Sequence, residues 1–289
     1  MKMKKNNFSI FTIIKVIVLL IAVFCTLYPF IYMAAVSTSD AIYVLKSEVS
    51  FYPKGFNLNT YRIVFEDHRI FKAYLNTVLY SGSGSLIALA VTCAGAYALS
   101  KKKLIFNKFF TAMIMFTMFF GGGMIPTYLT VRGLGLYDTM WAIILPVAVS
   151  TYNLLIMRTF FVQFPVELEE SGRLDGLNDL GVFFRIALPL SKAVLATILL
   201  FYAVSLWNSY FSAMLYINTE NKQPLQIVLR DMLIESTQFS NKAVGADTVV
   251  VDESLKYSTV IVSIIPIILV YPFLQKYFVK GVMIGSLKG

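Results

Sequence analysis

The chain has 289 residues, of which 57% are hydrophobic and 14% charged, and it carries a formal net charge of +9. Soluble domains are typically about 25% charged, so there is too little polar surface here to cover a water-soluble globule. Lipid is the natural solvent for much of the chain, and the excess of Lys and Arg is a topology signal rather than a mark of nucleic-acid binding.

Six apolar stretches are long enough to cross a hydrocarbon core, which takes roughly 17–25 helical residues. They lie at about 14–36, 73–98, 109–128, 139–158, 193–217 and 258–279. Helices are required because lipid cannot satisfy an open backbone. The first stretch follows Lys2, Lys4 and Lys5 like a secretory signal, but its apolar core exceeds the roughly 7–15 residues of a signal h-region and no small-residue cleavage site is evident. It is expected to stay as a span after a cytosolic N-terminus, 1–13, with Lys15 snorkelling toward the headgroups.

An outer loop, 37–72, carries the lone histidine, His68, and leads to span two, which opens on Asn76. Cys25 and Cys93 fall inside spans one and two, where each reads as a small buried hydrophobe. With the N-terminus inside, the inner segments hold 15 of the 25 Lys and Arg but only five of the 16 acids: Glu167, Glu169, Glu170, Asp175 and Asp179. That asymmetry places both termini in the cytosol. The expected fold class is an all-α polytopic membrane protein with six transmembrane helices, in which residues 14–289 form a single transmembrane domain.

Between spans four and five, the cytosolic loop 159–192 contains PVELEESGRLDGLNDLGVFFRIALP, from Pro165 to Pro189. Pro165 suits a helix start, where its missing N–H leaves nothing unpaired, and Glu167, Glu169 and Glu170 favour the positive helix end. Gly176 predicts the stop of a helix of about 10 residues. Leu168, Ser171 and Leu174 share one face of it, beside Gly172. Asn178 or Asp179 can cap a second helix carrying Val182, Phe183, Phe184 and Ile186 back toward the membrane before Pro189. On spacing alone, a helix lying at headgroup level and a helix that docks onto a partner are equal readings.

The outer loop 218–257 is polar and mixed in charge, with one amphipathic run from Leu225 to Ile234. The cores of the six spans contain no Asp, Glu or Arg. Ion-driven carriers place ionisable groups at membrane depth, which argues against a stand-alone secondary carrier. No G-x-x-x-x-G-K-[ST], no H-E-x-x-H and no Ser/His/Asp set in the spans points to a catalytic or metal centre, so neither enzyme activity nor a cofactor is expected in this chain. Gly82, Gly84 and the run Gly121, Gly122, Gly123 read as close-packing or kink positions. There is no internal repeat of the kind secondary carriers show. Uphill movement of a solute therefore needs energy from another protein.

One pattern in the polar hairpin names that protein. Glu170, Ser171 and Gly172, then Asp175 and Gly176, then Ile186, Leu188 and Pro189 form E-x-x-x-x-D-G followed by I-x-L-P. This resembles the EAA loop of ABC-importer permeases, with Ser and Gly in place of the two alanines. AYALSKKKL from Ala96 to Leu104, GGGMIPTYL from Gly121 to Leu129, Tyr152 with Asn153, Trp207 with Asn208, PLQ from Pro224 to Gln226 and the tail KYFVKGVMIGSLKG extend the likeness almost end to end. They are similar to permeases of the carbohydrate-uptake group, above all those importing oligosaccharides or polysaccharide fragments such as aldouronates and alginate.

The resemblance implies a type I ABC-importer permease fold in a bacterial cytoplasmic membrane. It implies a second, homologous permease, two ATPase subunits that bind the ATP and Mg, and an extracellular solute-binding lipoprotein. It makes Glu170 the charged contact to the ATPase, has Ser171, Gly172 and Gly176 permit close approach, and has Asp175 help fix the loop ahead of Pro189. It also turns the loop 218–257, otherwise a partly ordered surface segment, into a contact for the binding protein.

Sugars need flat aromatic faces and neutral hydrogen-bonding groups. The spans offer Asn76, Tyr152, Asn153, Tyr202, Trp207, Asn208 and Tyr210, with Asn153, Trp207 and Asn208 the first candidates. Helix packing is the simpler reading of each. An ABC permease for a peptide or amino acid is the alternative, although charge-free spans favour a neutral polar solute. An anionic sugar would need positive charge from Arg132 or from a partner.

Overall fold

The structure is a computed structural model that describes residues 10–101, 104–242, 254–269 and 272. Among these residues every regular element is helical. The chain divides into two compact units, one built from the residues up to His68 with Leu229–Ile264, the other from Arg69–Val228 with the residues from Ile265 on.

In the first unit, α1 (Ile10–Ser37) is a single apolar helix of 28 residues, long enough to cross a membrane. Its side chains are exposed over most of its length, as suits a helix solvated by lipid. Only its last turn is packed: Ala35 and Val36 are buried with Val44 and Val49, and Tyr32 meets Tyr257 edge-on at 5.8 Å. The short α2 (Ala41–Leu45) is capped by Asp40, which accepts from the Ile42 N–H at 3.0 Å. Helix α3 (Asn59–Glu66) brings the Tyr61 hydroxyl within 2.8 Å of Ser37 Oγ.

The second unit is organised on α4, an unbroken helix of 33 residues that starts at His68 and ends at Ser100. Its buried stripe is made of small residues, Ala73, Thr77, Ser81, Gly84, Ala88 and Ala96 among them, which lets neighbouring backbones come close. A Cβ at Gly84 would lie 2.7 Å from Leu206 and 3.1 Å from Ile144. The other apolar stretches of this unit are broken helices rather than straight spans. The expected span 109–128 consists of α5 (Asn107–Phe119) and α6 (Met124–Gly133), bent by 112°, with the three glycines in the gap and Gly123 at φ +83°.

The stretch 139–158 divides at Pro146 and Ser150 into α7 (Trp141–Ile144), extended by a 3-10 turn to Val147, and α8 (Thr151–Val162), with a bend of 49°. After α9 (Val166–Leu174) the chain returns through α10 (Asp179–Val182), a π turn over Phe183–Ala187 and α11 (Leu188–Leu190). It then bends by 83° into α12 (Lys192–Trp207). The stretch 193–217 is interrupted again at Asn208 and Ser209 before α13 (Tyr210–Tyr216).

Helix α14 (Leu225–Lys242) contains the amphipathic run, with Leu225, Ile227, Val228, Leu229 and Met232 buried. Residues 254–269 form α15, the beginning of the expected span 258–279, whose remainder, apart from 272, lies outside the described residues with the C-terminal tail. Among the described residues two helices are long and apolar enough to cross a membrane, or up to five spans if each bent pair counts as one. Glycine runs and prolines cause such breaks because they remove side-chain packing or a ladder N–H.

A buried cluster joins α4, α8, the π turn and α12 through Ala96, Met157, Phe161, Phe183 and Ile198. Met157 and Ile198 are fully buried, and in lipid it is the close packing of such side chains between helices that holds the spans together.

Candidate functional site

The polar hairpin is built by local rules. Pro165 is the N-cap of α9, and Glu167 and Glu169 lie in its first turn. The helix stops in a Schellman arrangement: the Gly176 N–H donates to the Arg173 carbonyl at 3.0 Å and the Leu177 N–H to the Gly172 carbonyl at 2.9 Å. Gly176 has φ +80°, and no atom lies within 4 Å of where its Cβ would be, so it is the backbone conformation that calls for glycine. Asn178 caps α10 by accepting from the Gly181 N–H at 2.8 Å. The stop at Gly176 matches the sequence reading, the cap is Asn178 of the two candidates Asn178 and Asp179, and the helix is nine residues long where about 10 were expected.

Two faces of α9 differ. Gly172 is its buried residue, and a Cβ there would meet Ile186 at 2.6 Å and Val182 at 3.3 Å. The close approach that Gly172 allows is therefore to the return limb of the same hairpin. Glu170, Ser171 and Asp175 are exposed. At the tip Leu174 is 89% and Leu180 67% exposed. The sequence reading did not single out an exposed Leu174 at the tip, though an apolar side chain just before a helix-stopping Asp-Gly was the available signal.

The root of the hairpin is anchored in the core. Lys101, just past the end of α4, pairs with Glu169 of α9 and sits 3.8 Å over the Tyr97 ring. Tyr97 in turn packs against Phe183 at 4.8 Å and Phe161 at 5.5 Å. Arg158 Nε donates to the Leu99 carbonyl at 3.1 Å, and Asn107 Nδ2 donates to the Leu99 and Lys101 carbonyls at 2.9 Å. Exposed Pro189 follows the π turn, in which the Leu188 N–H reaches back to the Phe183 carbonyl. Proline has no N–H for an α-helical bond to Arg185, and Ser191 Oγ donates to the Ala187 carbonyl at 2.6 Å.

A cavity of 440 Å³ lies between α8 and α12, lined on its polar side by Ser150, Tyr152, Asn153, Tyr202 and Ser205. A neighbouring cavity of 210 Å³ shares Val147, Ser205 and Leu206 and adds Asn208, Ser209, Tyr210 and Ser212. None of the lining residues is charged. The Tyr202 hydroxyl accepts from the Ser150 N–H at 2.9 Å and lies 2.7 Å from Thr92 Oγ1, bracing α4 against the cavity wall. Tyr152, Asn153, Asn208 and Tyr210 thus line cavities. Asn76 and Trp207 line neither: Asn76 Nδ2 donates to the Asn221 and Gln223 carbonyls at 2.9 and 3.0 Å, and buried Trp207 meets Tyr74 edge-on at 6.3 Å. Ser205, which borders both cavities one turn before Asn208, was not found from the sequence.

Asp138 ties the turn before α7 to the loop before α14. Its carboxylate accepts from Lys222 Nζ at 2.8 Å, the Thr219 hydroxyl at 2.6 Å, and the Thr219 and Asn218 N–H groups at 2.9 Å. The Lys222 ammonium, then the Thr219 donors, hold this carboxyl well below the usual carboxylate range. From the other side, the Tyr80 hydroxyl donates to the Lys222 carbonyl at 2.9 Å, and Thr77 Oγ1 accepts from the Leu225 N–H at 2.8 Å.

Residues 87–284 match the family described as "Binding-protein-dependent transport system inner membrane component". The chain is 42% identical over 273 residues to the polygalacturonan/rhamnogalacturonan transport system permease protein YtcP of Bacillus subtilis (strain 168), covering 94% of this chain and 95% of that protein. It is 43% identical over 265 residues to protein LplC of the same organism, covering 91% and 90%. A crystallised chain of a bacterial ABC transporter involved in the import of the acidic polysaccharide alginate superposes with a TM-score of 0.84 at 35% identity, covering 96% of this chain and 100% of that one.

Proposed function

This chain belongs to the family of binding-protein-dependent transport system inner membrane components, and from that premise we propose that it forms half of the translocation pathway of an ABC importer for an oligosaccharide. A second, homologous permease supplies the other half. Two cytosolic ATPase subunits bind ATP and Mg and perform the hydrolysis, an extracellular lipoprotein delivers the solute, and this chain is not itself an enzyme. The sequence topology supports six spans in one transmembrane domain, with both termini and the hairpin in the cytosol.

The observation that carries this reading is the exposed tip of an otherwise fixed hairpin. Leu174 stands 89% exposed on a helix whose ends are fixed by a glycine stop and whose root is anchored to α4. Nothing in the hairpin covers it, and a cleft in an ATPase would remove it from water, worth about 1.5–3 kcal/mol when complete. Glu170 beside it supplies a charged contact, Ser171 and Asp175 present small and polar groups, Gly172 lets the two limbs close, Gly176 sets the turn, and Pro189 marks the joint into α12.

For the solute, the uncharged cavities bordered by Tyr152, Asn153 and Asn208 offer the neutral groups that sugar hydroxyls require. Asn76 and Trp207 support the pathway from outside the cavities. The relatives named for polygalacturonan, rhamnogalacturonan and alginate favour fragments of an acidic polysaccharide, whose carboxylates need positive charge from Arg132 or from the partners.

Isolating the tagged chain from its native membrane tests this function. A second permease and an ATPase should copurify, and the binding protein should be stabilised by oligogalacturonides, by about 2.7 kcal/mol at 100 times the dissociation constant. Recovery of the chain alone, moving sugar in liposomes without ATP, would contradict it.

A further inference from the structure

Besides the link from α8 at 163–165 and the packing of Phe183 on Tyr97, two connections of the hairpin to the rest of its unit differ mechanically. One follows the chain through the π turn, Pro189 and the 83° bend into α12. That route is a joint, since the π turn and Pro189 interrupt the α-helical ladder just before the bend. The other crosses from α9 to the end of α4 through Glu169 and Lys101, 68 residues apart in sequence.

We propose that Lys101 is a positioning residue whose pairing with Glu169 makes α4 the rod that carries hairpin motion across the membrane. The two side chains are only 25% and 20% exposed, unlike Arg173 and Asp179 on the outside of the hairpin at 49% and 76%, where an ion pair contributes little. The ammonium is held from two sides, by the carboxylate and by the Tyr97 ring. The backbone it pulls on does not fray, because Arg158 and Asn107 occupy the Leu99 and Lys101 carbonyls.

From Lys101 the helix runs unbroken to Tyr80, Thr77 and Asn76, which hold the loop 217–225. At about 1.5 Å per residue this is on the order of 37 Å. Force applied at Glu169 is thereby delivered to the opposite end of α4, and displacement of that outer loop is carried back along the same continuous helix to the hairpin.

This inference rests on the hairpin being the ATPase contact, and the experiment separates the two. The assembled importer in proteoliposomes, with its binding protein and oligogalacturonide, is measured for sugar moved per ATP hydrolysed and for ATPase content. In Lys101→Met and Glu169→Gln the ATPase should remain bound and active, while transport per ATP falls at least about 5-fold, the lower range of site-to-site coupling. Lys101→Arg keeps charge and ring contact and should retain the ratio.

An unchanged ratio in both charge-removing variants overturns the proposal, as does loss of the ATPase from the complex, which would make the pair merely structural. If Glu170→Lys leaves uptake and ATPase content intact, the hairpin assignment itself fails. If Glu170→Lys abolishes uptake while Lys101→Met keeps the ratio, only the tether fails.

Discussion

A side-chain carbon at Gly172 would come within 2.6 Å of Ile186 Cδ1, so the outgoing and returning limbs of the polar hairpin touch backbone to side chain. The obstructing atom is the end of a flexible side chain, which decides what a substitution does. Gly172→Ala should reduce uptake modestly, and Gly172→Val should reduce it severely, since overpacking costs about 1–3 kcal/mol. Ile186→Val removes Cδ1 and should restore Gly172→Ala toward wild type. Uptake in cells with membrane levels measured in parallel checks this, and failure of Ile186→Val to rescue would place the fault elsewhere.

Glu170 and Gly176 test the docking face. Glu170→Lys reverses the exposed charge and should abolish uptake while the chain stays in the membrane. Gly176→Asp should do the same by adding a charged side chain to the exposed turn. Gly176→Asn tolerates the left-handed backbone without the charge and should keep most transport. Normal uptake in both charged variants would remove the coupling role.

Asp138 gives a pH dependence. Its folded-state carboxyl is held below the usual range by Lys222 and Thr219, so its contribution to stability is present above the unfolded value of about 3.9. That contribution is lost as pH falls through the lower folded value. Thermal unfolding in detergent should show Asp138→Asn destabilised at neutral pH by about 1–3 kcal/mol, as for the loss of hydrogen bonds to a charged group. Between pH 5 and pH 3, about one unit on either side of that unfolded value, the wild type should lose more stability than the variant. Parallel pH curves would show that the four contacts to Asp138 contribute nothing.

The cavity between α8 and α12 should read sugar hydroxyls. Asn153→Leu and Ser205→Val remove a polar wall group each and should weaken uptake about 2- to 10-fold, the effect of one hydrogen bond worth about 0.5–1.5 kcal/mol. ATPase activity without solute should be unchanged. Uptake at wild-type levels in both would move the sugar contacts to the partner permease.

The hairpin was legible in the sequence because its rules are local: a proline start, a glycine stop and an asparagine cap act within one turn. The breaks were less so. Gly121, Gly122 and Gly123 gave the kink in the span 109–128, but at the break at Ser150 the backbone N–H is held by the Tyr202 hydroxyl, 52 residues away, which hydropathy does not register. The sequence marks Lys101 as a topology charge within AYALSKKKL and Glu169 as an acid at the positive end of a helix, but a contact between residues so far apart leaves no mark in spacing. Asn76 was singled out for its amide, whereas its partners are two carbonyls 145 and 147 residues away.

The most direct test of the coupling assignment is a photoactivatable phenylalanine placed at Leu174 in the assembled importer, with the same residue at exposed Leu134 as control. Irradiation should yield a cross-link from position 174 to the ATPase subunit, lost in Gly176→Asp, and none from position 134. Absence of an ATPase product at 174, in a complex that still transports sugar, would contradict the assignment of this hairpin as the site where ATP hydrolysis reaches the membrane.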